Sequence, residues 1–192
     1  DWSSDVCSSD LDDDISVPDR FEKEVKYLDD NPNIGVVGGS VIIIDSQNIP
    51  KSTSAHMISC PEYLWLDIVF QCPMANSSVM FRKSLTDSFG LKYYDGMFGM
   101  EDYRFWIEFS AVANIYNFNE TFLKWRDRTN GETARVKIGF AEERKKKFAE
   151  IQKMGLDCRG VKLEKDEYEL FFNAYCEHKD SFSFDLHSLF LI

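Results

Sequence analysis

The run at residues 34–45 (IGVVGGSVIIID) constrains the fold more than any other part of the chain. It is β-branched and continuous rather than alternating, the pattern of a strand buried on both faces. The Gly38-Gly39 pair inside it permits a bulge or a close backbone approach. Residues 45–48 then read as a turn into a partner strand near 49–53. Upstream, Ser16 can cap a helix, Pro18 suits its first turn, and Asp19 lies three residues after Ser16. Phe21, Val25 and Leu28 share one stripe of that helix, and Asn31-Pro32 stops it.

Downstream, residues 61–70 form a short helix in this reading and 75–82 (ANSSVMFR) a second buried strand, with Lys83-Ser84 opening another helix. Glu101 begins a further helix, and residues 114–118 and 121–126 read as two short strands. Strands alternating with helices favour an α/β layer. After Thr129-Asn130-Gly131 the character changes. Residues 134–154 predict a long helix ending at Gly155, and 164–179 an aromatic-rich one carrying Tyr168, Phe171, Phe172 and Tyr175. These make residues 131–192 a helical C-terminal appendage, its aromatic stripe either a packing face or a docking surface for a membrane or partner.

Composition narrows the function. A net charge of -11 argues against a general nucleic-acid surface. The basic run at 144–147 follows Glu142 and Glu143 at the four-residue spacing of a solvated, ion-paired helix face. Five cysteines without a CxxC pair fit reduced thiols in a cytosolic protein. No apolar run approaches the roughly 20 residues that cross a bilayer, and no signal peptide is legible. Apolar residues at 44% and aromatics at 15% supply a core for a globular chain of 192 residues. Residues 1–11 (DWSSDVCSSDL) lack a hydrophobic period, as a flexible, disordered tail does, and also resemble a translated sequencing adapter, in which case the natural polypeptide begins at about Asp12.

Two carboxylate sites carry candidate chemistry. Asp12, Asp13 and Asp14 stand before a helix start, where such a run either holds a divalent metal through hard oxygen ligands or caps the helix. Glu101 and Asp102 follow the glycine-punctuated segment 94–100. There a carboxylate either accepts a proton from a substrate hydroxyl or complements the helix N-terminus, whose dipole tends to keep its pKa low. His56, His178 and His187 have no metal-site spacing, and Ser77 and Ser78 lie in no nucleophile elbow.

Five segments in order carry a family resemblance. Residues 13–21 (DDISVPDRF), 34–39 (IGVVGG), 76–82 (NSSVMFR), 101–106 (EDYRFW) and 123–126 (LKWR) are similar to successive segments of GT-A glycosyltransferases of the family 2 type, over about residues 12–130. The resemblance implies a partial GT-A sheet flanked by helices, the acceptor-side part of the catalytic domain. Asp13 matches the last Asp of the family's DxD metal motif and Asp12 its variable position, which implies Mn²⁺ or Mg²⁺. The motif's first Asp falls at Leu11, a departure, and the donor-binding half has no counterpart here, so the chain alone is not expected to turn over.

The implied reaction is an inverting transfer, of hexosyltransferase type, from a nucleotide diphosphate sugar to a hydroxyl of a glycan or lipid-linked acceptor. Asp102 is its base, Glu101 a neighbour that orients Asp102 or touches the acceptor, and Trp106 either core or a sugar platform. Arg126 either approaches the diphosphate or forms a structural ion pair. Surface polysaccharide or cell-envelope glycan synthesis, in the cytoplasm at the inner face of the membrane, is the setting that the family makes common. The competing expectations are a catalytically silent protein-binding module and a metal-dependent phosphoesterase.

Overall fold

The computed structural model describes residues 5–8, 14–54, 61–127 and 139–178. Its strands are β1 (Val6–Ser8), β2 (Ile15–Ser16), β3 (Ile34–Ile44), β4 (Pro50–Ser54), β5 (Met80–Arg82) and β6 (Asn114–Arg126). The helices are α1 (Arg20–Asp30), α2 (Pro61–Phe70), α3 (Lys83–Phe89), α4 (Glu101–Ser110), α5 (Ala141–Cys158) and α6 (Lys165–His178).

β3 is the centre of the sheet, as its unbroken apolar run predicts. β6 lies parallel to it along its whole length, from Ile34 opposite Asn114 to Ile44 opposite Arg126. The other edge of β3 is shared: β5 pairs antiparallel at Val36 and Val37, and β4 antiparallel from Val41 to Ile44. β1, within the opening expected to be a tail, pairs antiparallel with β5 from Val6 opposite Arg82 to Ser8 opposite Met80, and β2 extends the sheet beyond β6, giving the order β1-β5-β3-β6-β2 with β4 on β3.

The two short strands expected at 114–118 and 121–126 are one strand with a bulge. Gly39 pairs with Phe118 but Ser40 with Thr121, so β6 accommodates two extra residues opposite that step. Gly39 is the residue that makes room, because a Cβ there would lie 2.6 Å from the Phe122 ring. The strand expected over 75–82 begins instead as a 3-10 turn at Asn76–Ser78 and extends only from Met80. The cause is Ser78, whose hydroxyl lies 2.9 Å from both the Gly39 and the Ala75 carbonyls and fastens the turn to the bulge.

Successive residues of β3 face opposite layers. Val37 packs with Leu28, Ile34 and Met80 beneath Phe21, Val25 and Tyr27 of α1. Val36 packs with Leu64 and Ile68 of α2, the aromatic face of α4, and Ile151 of α5. Trp106 is fully buried there, its ring 4.7 Å from Phe105 and 6.0 Å from Phe81, which makes it core rather than a sugar platform. The result is a mixed α/β sheet with helices on both faces.

Local departures have identifiable causes. α1 begins at Arg20, and Ser16 is no cap: it pairs with Leu123 in the sheet and accepts a 2.9 Å bond from Arg20 Nη1. Arg20 and Glu24 are both fully buried and ion-paired at 3.2 Å, and Arg20 Nη2 also reaches Ser8 Oγ and the Val79 carbonyl. α5 does not stop at Gly155 but continues to Cys158. A Cβ at Gly155 would stand 2.9 Å from Ile107 Cδ1, so this glycine marks a close helix contact rather than a helix end.

By its contacts the chain divides into two compact units, one up to Arg159 and one from Gly160. In the second, α6 carries Tyr168 with Phe171 and Phe172 at ring separations of 6.4 and 6.1 Å. Among the described residues no helix is long and apolar enough to cross a membrane, and Cys7, Cys72 and Cys158 are free thiols. His56, His187 and the turn expected at 129–131 lie outside the described residues.

Candidate active site

Glu101 and Asp102 occupy the first turn of α4. The chain reaches them through three left-handed residues, Gly96 (φ 71°), Phe98 (φ 54°) and Gly99 (φ 72°). For Phe98 that conformation is strained, and it persists only where surroundings over-determine it. Met97 and Met100 are buried in the core on either side. Glu101 Oε1 turns back to accept a 3.1 Å bond from the Gly99 amide, and Asp102 Oδ1 accepts a 2.7 Å bond from the amide of Tyr103. α4 itself is secured by Tyr103, whose hydroxyl donates to the Val69 carbonyl at the end of α2.

Asp102 is partly buried, and burial pushes its carboxyl above the ordinary Asp range. The amide of Tyr103 opposes that rise, the charge of Glu101 adds to it, and Arg144 on α5 pulls the other way. The helix dipole alone leads one to expect a low value; loss of solvent outweighs it here. Two neighbours respond to the Asp102 charge. Burial and that charge hold the Cys72 thiol well up in its protonated form, its Sγ donating to the Met74 carbonyl. Tyr93 is pushed up to about 12, first by burial and then by Asp102; its ring stacks 4.6 Å from Phe105 and its hydroxyl donates to Asn76 Oδ1.

The segment that flanks Asp102 is tied to the bulge in the sheet. The Pro73 carbonyl accepts from Asn117 Nδ2 at 2.8 Å, and Asn117 is opposite Gly38. A Cβ at Gly38 would lie 3.0 Å from both Asn117 Oδ1 and the Met74 side chain. The Gly-Gly step thus lets the 73–78 segment lie close on the strand.

A second cluster gathers at the carboxyl ends of β3 and β6. Asp14 Oδ1 accepts from the backbone amide of Arg126 at 3.1 Å, and the Arg126 guanidinium donates to the Asp45 carbonyl at 3.0 Å and to Asn48 Oδ1 at 2.8 Å. Asp45 is held below the usual carboxylate range, chiefly because its side chain accepts the Ile49 and Gln47 amides. Glu101 and Asp102 therefore form one group, and Arg126 and Asp14 another. Arg126 joins the end of β6 to the β3–β4 turn, a role that no local sequence pattern announces.

Asp12 and Asp13 lie outside the described residues. Among the described residues no group of three or more His, Cys, Asp or Glu side chains is placed to hold a metal ion.

No family model matches the chain. Curated relatives are glycosyltransferases. The amylovoran biosynthesis glycosyltransferase AmsE of Erwinia amylovora is 26% identical over 115 residues, 59% of this chain and 42% of that protein. An uncharacterized glycosyltransferase of Methanocaldococcus jannaschii is 31% identical over 59% of this chain and 39% of its own length. One from Haemophilus influenzae is 27% identical over 78% of this chain and 50% of its own. The chain thus spans half or less of the length of these relatives. Among solved structures, S. aureus TarS 1-349 in complex with UDP-GlcNAc superposes with a TM-score of 0.60 at 14% identity, over 98% of this chain and 52% of that one. Sequence relatives therefore point to the glycosyltransferases, and the fold of the chain is a glycosyltransferase fold.

Proposed function

We propose that this chain forms the acceptor-side part of a GT-A glycosyltransferase of the family 2 type, which moves a sugar, a hexose in this reading, from a nucleotide diphosphate donor to an acceptor hydroxyl with inversion. The observation that carries the proposal is Asp102: a partly buried carboxylate on a braced helix turn, with its pKa raised by burial. A base that holds its proton more tightly than an ordinary carboxylate is a better partner for a sugar hydroxyl.

In the reaction the acceptor oxygen attacks the anomeric carbon while Asp102 takes its proton. The bond to the diphosphate breaks on the opposite face, and the electron pair leaves with it. Glu101, held toward Gly99, orients the turn that presents Asp102 or meets the acceptor. Asp13 and Asp12, hard oxygen donors, are the residues that would hold Mn²⁺ or Mg²⁺, whose chemistry there is to offset charge on the diphosphate. Arg126, whose backbone amide bonds Asp14, is the proposed cation for the donor phosphates.

A nucleotide sugar donor is supported by the TarS structure, which contains UDP-GlcNAc. A role in surface polysaccharide synthesis draws support from AmsE, which is named for amylovoran biosynthesis. A glycan or lipid-linked acceptor met at the inner face of the membrane is part of the same proposal.

The test is an assay of the full-length protein with Mn²⁺ and a panel of nucleotide sugars, beside its Asp102→Asn form. Transfer or hydrolysis is expected from the wild type, with a loss of about 10²- to 10⁴-fold in the variant, the usual contribution of a general base. Absence of both activities, with Asp102→Asn making no difference, would sink the proposal and leave a silent protein-binding module.

A further inference from the structure

We infer that Arg144 on α5 is a positioning residue for Asp102: it grips the backbone of the loop that sets the first turn of α4. The inference rests on the reading of Asp102 as the base.

Arg144 Nη1 donates to the Phe98 carbonyl and, at 3.1 Å, to the Gly99 carbonyl. Two consecutive carbonyls aimed at one guanidinium nitrogen require the peptide between them to turn sharply, and Phe98 and Gly99 both lie in the left-handed region. Without a cation at that point the two oxygens would repel one another, and Phe98 would relax to an ordinary conformation. Phe140, the residue just before α5, adds a second grip, its ring lying 5.1 Å from Phe98. α5 also meets α4 directly, through Phe148 against Tyr103 at 5.6 Å, and Arg159, just after α5, donates from Nη2 to Ser110 Oγ at 3.0 Å. The α5 scaffold is thus fixed before Arg144 reaches forward to the loop.

The consequence runs from backbone to carboxylate. The Gly99 amide binds Glu101, and the two residues after Gly99 begin the helix, so the Phe98-Gly99 peptide sets where α4 starts. Around Asp102 the charged and titratable neighbours are Glu101, Cys72, Tyr93 and Arg144, with Asp67 beyond Cys72. Arg144 is the cation among them, so it both aims the carboxylate and tempers its affinity for a proton.

The experiment compares wild type, Arg144→Gln and Arg144→Lys in two measurements. Amide hydrogen exchange on the chain reads the grip itself: residues 98–103 are expected to exchange about tenfold faster in Arg144→Gln, with the β3 and β6 amides unchanged. Unchanged exchange at 98–103 overturns the inference, and faster exchange everywhere shows only a loss of structure and overturns it also. Kinetics on the full-length protein read the consequence. A loss of about 10- to 100-fold in kcat is expected for Arg144→Gln with donor KM little changed, as misplacement of a catalytic group produces. Its acid limb should move to higher pH, whereas Arg144→Lys keeps that limb in place while losing kcat. Wild-type kinetics in Arg144→Gln overturn the positioning role. A full-length wild type with no transfer instead fails the transferase reading, while exchange still decides the grip.

Discussion

At the scale of single residues the site depends on one carboxylate kept partly out of water. Asp102 is raised above its ordinary value of 3.8 by burial, against the bond from Tyr103. A carboxyl whose folded pKa is raised destabilises the fold once it ionises. That cost is absent well below 3.8 and is fully present above the folded value. Asp102→Asn keeps the acceptor for the Tyr103 amide and removes the buried charge. The variant should therefore be more stable than wild type to urea at pH 7, with the difference shrinking to nothing as pH falls below the ordinary Asp range. Equal midpoints at pH 7 would show that solvent reaches Asp102 freely. Combined with lost transfer, the expected result is the signature of a residue retained for chemistry rather than for folding.

Elements show where local pattern suffices and where it fails. β3 was legible because a strand buried on both faces leaves a continuous apolar run, and the start of α4 because two carboxylates follow a glycine-punctuated segment. The bulge in β6 was not, since its cause is 80 residues upstream at Gly39 and in the Ser78 hydroxyl that fastens the turn to it. The burial of Arg20 and Glu24 was not legible either, because Arg20 is held by Ser8 of β1 and the Val79 carbonyl just before β5, both distant in sequence. Glu101 and Asp102 stood out as a candidate site only through the family resemblance, since their position alone equally fits charge complementarity at a helix N-terminus; the Arg144 grip was not legible at all, as it spans more than 40 residues. Gly39→Ala tests the bulge. Its methyl would meet the Phe122 ring at 2.6 Å and the Glu120 carbonyl at 3.0 Å, neither a flexible chain end. Overpacking of this kind costs about 1–3 kcal/mol, so a lower urea midpoint is expected; an unchanged one would mean that β6 can shift away.

For the whole molecule the question is where the folded core stops. Phe148 and Met154 of α5 pack against the cluster that contains Trp106, and Ile151 belongs to it, 1% exposed. Full burial of a side chain such as Ile151 contributes roughly 1.5–3 kcal/mol, and the partly buried Phe148 and Met154 add to it, so α5 supplies an appreciable share of the roughly 5–15 kcal/mol that separates folded from unfolded domains. A chain ended after Arg159 keeps the first compact unit entire. It should melt cooperatively with its near-ultraviolet aromatic signal retained. Ending the chain before Ala141 exposes α2 and α4 and removes Arg144 from the Asp102 turn, so that version should lose its cooperative melt. Were the shorter chain to melt like the longer one, α5 would be dispensable to the core, and its grip on the carboxylate turn would have to be maintained without the packing that now fixes it.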